Sequence, residues 1–179
     1  MSVISNLLEL LDKNKIWDKE ITVKRNHMIK SKGSIDDNIY FVLEGSCRLF
    51  IQDGDEEICV RLAYKDNFIL ALDSFFSNSN SGFCIQTIKK SKLKVLNKQR
   101  FEAFLALEPS RMKLWQGVLE NIILQQIERE KDLLCSSPME RYQRVLQRSP
   151  QLFQEIPKKY IASYLRMTPE TLSRIKILE

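Results

Sequence analysis

The stretch from Ile156 to Ile175, I-P-K-K-Y-I-A-S-Y-L-R-M-T-P-E-T-L-S-R-I, leaves this chain few ways to fold. Its apolar residues follow two short helical periods separated by a tight corner. Pro157 suits a first helical turn, where a missing N–H is no loss, and Tyr160, Ile161, Tyr164 and Leu165 repeat on one face. Thr168 is an N-cap residue type and Pro169 fits the first position of a second helix, so the first helix must stop before them. In the second helix Leu172 and Ile175 point inward, leaving Glu170, Thr171, Ser173, Arg174 and Lys176 outside. Two helices joined by a turn of about three or four residues, the second one polar, form a helix-turn-helix. Such a pair can lay its second helix in the major groove of DNA.

Lys159–Leu165 (K-Y-I-A-S-Y-L) and Thr168–Ile175 (T-P-E-T-L-S-R-I) resemble the C-terminal helix-turn-helix of the Crp/Fnr regulators, in the variant common in Bacteroidetes. The resemblance implies that Pro169, Glu170, Ser173 and Arg174 read bases or lie beside them. Arg174 can donate two hydrogen bonds to guanine, and Glu170 can accept one from a cytosine amino group. Lys158, Lys159, Ser163, Thr168, Thr171 and Lys176 suit phosphates, which orient a domain without reading sequence. Arg166 stands at the turn position where relatives have glycine, and the chain stops at Glu179, where the family's domain continues into a wing. A reading head truncated after its second helix is therefore expected.

Upstream the apolar period is two rather than 3.6. After an amphipathic helix over Ser5–Trp17 (Leu7, Leu8, Leu11 and Ile16 inward), Ile21 and Val23 form a short strand, and residues 33–37 read as a turn. Ile39, Phe41 and Leu43 alternate toward Gly45, Cys47, Leu49 and Ile51 continue, and Asp53-Gly54-Asp55 closes a hairpin from which Ile58, Val60 and Leu62 return. Phe83, Ile85 and Thr87, then Leu93 and Val95, give the last strands. Strands this short suggest a β-barrel or sandwich. Tyr40–Gly45 (Y-F-V-L-E-G) and Asp53-Gly54 resemble the cyclic-nucleotide-binding-like jelly roll of the same family, in the same order along the chain. The fold class expected is α+β: an N-terminal double-stranded β-helix (jelly roll) with flanking helices, a long dimerisation helix and a C-terminal helix-turn-helix domain.

The family's nucleotide binders hold the cyclic phosphate with F-G-E-[LIA] and a loop ending in R-[ST]-A. The corresponding residues here are Phe68-Ile69-Leu70-Ala71 and Ser81-Gly82-Phe83. Apolar residues replace the glycine and glutamate, and Ser81 replaces the arginine. A charge-assisted hydrogen bond contributes about 1.5–3 kcal/mol, so a cyclic phosphate here would lose its partner, and cyclic AMP is not expected to bind in the usual way. Phe75 and Phe76 either pack this pocket or line it for a different, apolar ligand.

Asn97 can cap a short helix carrying Phe101, Phe104 and Leu105, and from Pro109 a long helix runs to about Cys135. Met112, Trp115, Leu119, Ile122 and Gln126 recur every three or four residues, as in a coiled-coil seam. Leu114, Val118 and Ile123 widen the stripe, so one face can cover the barrel while another meets a partner helix, as the family's dimers do. Ser136-Ser137-Pro138 is the clearest boundary. A helix from Pro138 to Gln147 should hold Tyr142, Val145 and Leu146 inward and Arg141, Arg144 and Arg148 outward. The expected domains are 1–108 (jelly-roll sensor), 109–136 (dimerisation helix) and 137–179 (helix-turn-helix).

Of the net charge of +5, residues 137–179 carry most, with 8 basic and 4 acidic side chains. A basic cluster is what phosphate neutralisation needs. The four cysteines are widely spaced, His27 is the only histidine, and no phosphate loop or nucleophile–base pair is visible. Neither an enzyme, a metal site nor a cofactor is expected. No run reaches the ~18 apolar residues of a membrane span, and no signal peptide is visible, so the expectation is a cytoplasmic protein. The leading reading is a transcription regulator independent of cyclic AMP, with double-stranded DNA, a second copy of itself and an unidentified small-molecule effector as partners, and RNA polymerase as a further one. The alternative is a ligand-sensing jelly-roll dimer whose truncated head no longer binds DNA.

Overall fold

The computed structural model describes residues 3–177. The first half runs α1 (Val3–Lys13), β1 (Lys19–Val23), β2 (Met28–Lys30), β3 (Asn38–Glu44), β4 (Ser46–Asp53) and β5 (Glu56–Tyr64). It closes with β6 (Phe68–Ile69), α2 (Leu72–Ser77), β7 (Phe83–Thr87) and β8 (Ser91–Asn97). The rest is helical: α3 (Lys98–Ala106), α4 (Pro109–Leu134), α5 (Pro138–Arg148), α6 (Pro150–Glu155), α7 (Lys158–Tyr164) and α8 (Pro169–Ile177). The strands form two antiparallel four-stranded sheets, ordered β1-β8-β3-β6 and β2-β7-β4-β5, which is the jelly-roll core of an α+β fold.

Side chains of both sheets, among them Val42, Cys47, Ile69, Ile85 and Leu93, fill the space between them. The outer face of the β1-β8-β3-β6 sheet is covered too. Leu7, Leu11, Phe101, Phe104, Trp115 and Val118 from α1, α3 and α4 gather there against Ile39 and Leu96. β3 is therefore buried on both faces from Ile39 to Val42, where its sequence suggested one wet face. A sheet sandwiched between layers carries apolar residues on both sides, and alternation loses its meaning there.

The other sheet is covered by α5 to α8, whose core of Tyr142, Val145, Ile161, Leu165, Leu172 and Ile175 continues into Cys59 and Leu62 of β5. A register shift between Leu49 and Phe50 explains which β5 residues serve this contact. It puts Cys59 and Leu62 on the side that meets the helices while Ala63 packs between the sheets, so that Leu62 is buried as expected and Ile58 and Val60 are only half-buried.

Local signals decide the element ends. Gly45, at the corner between β3 and β4, has φ +83°, and a Cβ there would lie 2.3 Å from the Lys90 carbonyl oxygen and 2.5 Å from Ser91 Oγ. Both the backbone angle and the close approach demand glycine. The Asn97 side chain accepts from Gln99 N (2.9 Å) to cap α3, and the Ser137 side chain accepts from Glu140 N (3.3 Å) to cap α5. α1 stops at Lys13, short of the expected Trp17, because Lys15 turns left-handed at φ +52°. β2, β6, α2 and α6 are too short to carry a readable period.

In α4, Trp115 meets Phe101 edge-on at 4.9 Å, and Leu119 and Ile122 pack in the same cluster. These residues, expected at a partner seam, face their own jelly roll, while Met112 and Gln126 lie exposed. The large apolar residues left open on α4 are Met112, Ile123, Leu124, Ile127, Leu133 and Leu134, of which Ile123, Leu124, Ile127 and Leu134 share one side of the helix. Among the described residues no helix is long and apolar enough to cross a membrane.

Candidate nucleic-acid interface

α7 ends in a left-handed cap. Met167 N donates to Ala162 O (3.0 Å) and Arg166 N to Ser163 O (3.1 Å), with Arg166 at φ +52°. This is the paired hydrogen bonding of a Schellman motif, in which glycine is usual. Arginine carries the strain of that angle, and its surroundings hold it there. Arg166 Nη1 reaches Glu56 Oε1 (3.3 Å), and Arg141 Nη1 donates to the carbonyls of Leu165 (2.9 Å) and Arg166 (3.4 Å).

The Thr168 hydroxyl then accepts from Thr171 N (3.2 Å) at the start of α8, and Leu172 and Ile175 anchor the helix inward. Glu170 and Arg174 are exposed on its outer side, with Pro169 and Thr168 beside them, and Thr171 and Ser173 are half-buried. The backbone N–H at the helix start, the Thr168 hydroxyl and the nearby Arg174 hold the Glu170 carboxyl below the usual carboxylate range. Lys158 and Lys159 are exposed at the start of α7, Lys159 lying 4.7 Å over the Tyr160 ring. The Lys176 side chain lies outside the described residues.

Ser163 differs from its neighbours. Its hydroxyl accepts from Cys59 N (3.0 Å) and donates to the Glu57 carbonyl (3.1 Å), so it serves the contact between α7 and β5. Arg48, buried in β4, strengthens that contact: it pairs with Glu57 (2.5 Å) and stacks 4.8 Å from the Tyr160 ring. Lys159, Ser163, Thr168, Pro169 and Glu170 thus share one crevice whose other wall carries Glu56 and Glu57.

The arginines of α5, expected to point freely outward, are engaged within the chain. Asp132, 2% exposed near the end of α4, accepts from Arg144 Nε (2.9 Å) and from Arg148. Arg144 also pairs with Glu128 at 3.3 Å. Periodicity placed these side chains on the polar face of α5 but could not foresee the carboxylates of α4 that meet them.

The residues expected to line an effector pocket are dispersed. Ile69 and Ala71 are packed between the sheets with Phe83 beside them, whereas Phe68, Leu70 and Phe75 belong to the cluster under the helices. Phe76 is 54% exposed, Gly82 is exposed, and Ser81 is buried with its hydroxyl accepting from Phe83 N (2.9 Å). Phe75 packs the interior and Phe76 does not, although the rings meet edge-on at 5.4 Å.

Two buried charges near these segments escaped the sequence reading. Lys30, 4% exposed, donates to the carbonyls of Ser31 (3.0 Å) and Phe83 (2.9 Å). Asp36 accepts from Asn38 Nδ2 (2.8 Å) and Tyr40 Oη (3.2 Å), while its Oδ2 is buried without a hydrogen-bond partner. The only signal for either was a charged residue beside a strand, which is commonplace.

Residues 20–108 match the family described as the cyclic nucleotide-binding domain. No curated protein matches the chain. Among solved structures it is similar to FixK2 from Bradyrhizobium japonicum, at 15% identity and a TM-score of 0.74, covering 89% of this chain and 83% of that one. A mutant of CooA from Carboxydothermus hydrogenoformans has 14% identity and a TM-score of 0.75, covering 96% of this chain and 82% of that one. A CRP/FNR-family transcriptional regulator from Thermus thermophilus has 17% identity and a TM-score of 0.64, covering 88% of this chain and 83% of that one. Residues 20–108 thus match the cyclic nucleotide-binding domain, and the chain around them has the fold of CRP/FNR regulators.

Proposed function

We propose that this protein is a DNA-binding transcription regulator of the Crp/Fnr type that acts as a homodimer and does not respond to cyclic AMP. The observation that carries this reading is α8, capped by Thr168, anchored by Leu172 and Ile175, and presenting Glu170 and Arg174 to solvent. Arg174 reads guanine, Glu170 accepts from cytosine, and Lys158, Lys159 and Thr168 hold phosphates. Residues 1–108 serve as the sensor, 109–136 as the dimerisation helix and 137–179 as the reading head. Two copies pair along Ile123, Leu124, Ile127 and Leu134 of α4, the apolar stripe that its own jelly roll leaves uncovered. A two-fold dimer places its half-sites about 34 Å apart on a pseudo-palindrome. Indifference to cyclic AMP is supported by the packed Ile69 and Ala71 and by Ser81 at the position of the phosphate-binding arginine.

Fluorescence anisotropy with a duplex from the gene's own upstream region, titrated at several salt concentrations beside a scrambled duplex, tests the reading. Specific binding with a steep negative salt slope is expected, and Arg174→Ala should erase the preference for the specific duplex. No binding to either duplex at low salt refutes it. The second reading, a sensing dimer whose head does not bind DNA, is favoured by one observation: Ser163 is bonded to β5 rather than free to meet a phosphate.

A further inference from the structure

Where β5, α4 and the C-terminal helices meet there is a crevice of about 260 Å³ outside the jelly-roll interior. Its walls carry three arginines, Arg61, Arg129 and Arg148, together with apolar side chains including Val60, Val118 and Ile122. Among the described residues no aspartate or glutamate lines it. Arg61 donates to the neutral Gln125 Oε1 (2.9 Å). Arg129, 6% exposed, donates to the carbonyls of Tyr164 (2.8 Å) and Cys59 (2.9 Å) and lies 4.0 Å from the Tyr164 ring. Neither forms an ion pair among the described residues; the buried carboxylate of Asp132 is already shared by Arg144 and Arg148.

Buried cations are ordinarily paired, because removing a charge from water is unfavourable unless an opposite charge replaces the lost hydration. Burial pulls the guanidinium groups of Arg61 and Arg129 below their ordinary proton affinity, the mark of charge without enough compensation. A packed core would fill such a place with apolar side chains. Here the space is open, and Arg61, half-buried, and Arg129, buried, form no ion pair among the described residues, the field of Asp132 reaching Arg129 without a direct bond.

The geometry points to a binding site for a small amphipathic anion: its carboxylate or phosphate head lies against Arg61 and Arg129, and its apolar body against Val60, Val118 and Ile122. Arginine suits such a head because its fork of donors matches two anionic oxygens at once. Arg61 belongs to the jelly roll, and Arg148 and Tyr164 to the C-terminal helices, so the occupant touches both parts of the chain. The site does not depend on the DNA-binding reading, and its test involves no DNA.

Octanoate, octan-1-ol, octylammonium and inorganic phosphate, each titrated calorimetrically into the full chain, separate head from body. Octanoate should bind saturably at one site per chain. The alcohol, the amine and phosphate should each bind about tenfold more weakly or less, since each lacks the charge or the body. Arg61→Gln should weaken octanoate about tenfold and leave the melting temperature no lower, because Arg61 is a half-buried cation with no ion pair among the described residues; Arg61→Lys should restore part of the affinity. Equal binding of the alcohol and the carboxylate, equal competition by phosphate, or no saturable binding of octanoate would each overturn the proposal. The head-group comparison on the unaltered chain decides the matter even if the variants do not fold.

Discussion

Replacing Gly45 by alanine should unfold the jelly roll well before any other single methyl added to a glycine. The new Cβ would meet Lys90 O at 2.3 Å, Ser91 Oγ at 2.5 Å and Ser91 Cα at 2.8 Å, two of them backbone atoms that cannot rotate away. The φ of +83° adds the left-handed penalty of an L-residue, about 1–2 kcal/mol. Moving the corner breaks two hydrogen bonds, Ser46 N to Ser91 Oγ (3.1 Å) and Ser91 Oγ to Ser46 O (3.2 Å). Each is a net ~1 kcal/mol, so the whole effect comes to about 4–7 kcal/mol once the ~1–3 kcal/mol of overpacking is included. Gly54→Ala is the internal control: its φ is +57°, but nothing lies within 4 Å of the added carbon. It should lose only the ~1–2 kcal/mol of the backbone angle. Urea unfolding followed by tryptophan fluorescence measures both, because Trp17 and Trp115 both pack at the cluster between the helices and the β3 sheet. If Gly45→Ala loses no more stability than Gly54→Ala, the close approach at this corner is not what requires glycine.

Arg129→Ala orphans the buried carbonyls of Tyr164 and Cys59 and removes a ring contact, so urea unfolding should show a loss of about 2–4 kcal/mol. A loss under ~0.5 kcal/mol would mean that water takes over both carbonyls. Burial pushes the Cys47 thiol from its ordinary 9.0 up to about 12, and burial followed by the Asp36 carboxylate raises the Tyr40 hydroxyl. Both favour the neutral form in the fold, so their stabilisation is complete below about pH 9 and drains away as the pH climbs toward 12. Urea midpoints should hold from about pH 7 to 8.5 and then fall, and a flat profile up to pH ~11 would refute the assignment. Ile123→Asp together with Ile127→Asp should shift the chain from dimer to monomer in sedimentation velocity without lowering its melting temperature, since both side chains are exposed. An unshifted dimer would place the seam elsewhere.

What could be read from the residues alone is what short-range chemistry decides. Asn97 announces a helix start because its side-chain oxygen can meet an N–H two residues on, whereas Ser137, read only as part of a boundary, proves to cap α5 in the same way. Asp53-Gly54 announces a hairpin, and Thr168-Pro169 announces the start of α8, for reasons contained within a few residues. The left-handed Arg166 was not legible from the residues themselves: only the resemblance, with glycine at this position in relatives, marked it as a departure, and the structure gives it φ +52°.

Which faces meet was settled by packing between distant segments. Periodicity shows that α4 has apolar stripes but not which one its own jelly roll covers, and Trp115, Leu119 and Ile122 went inward while Ile123 and Ile127 stayed out. The carboxylate that holds Arg144 and Arg148, the strand that binds Ser163 and the crevice around Arg61 join residues far apart in the chain. Their energies come from desolvation and from partners brought close by folding, and neither is written in the spacing of residues along one segment.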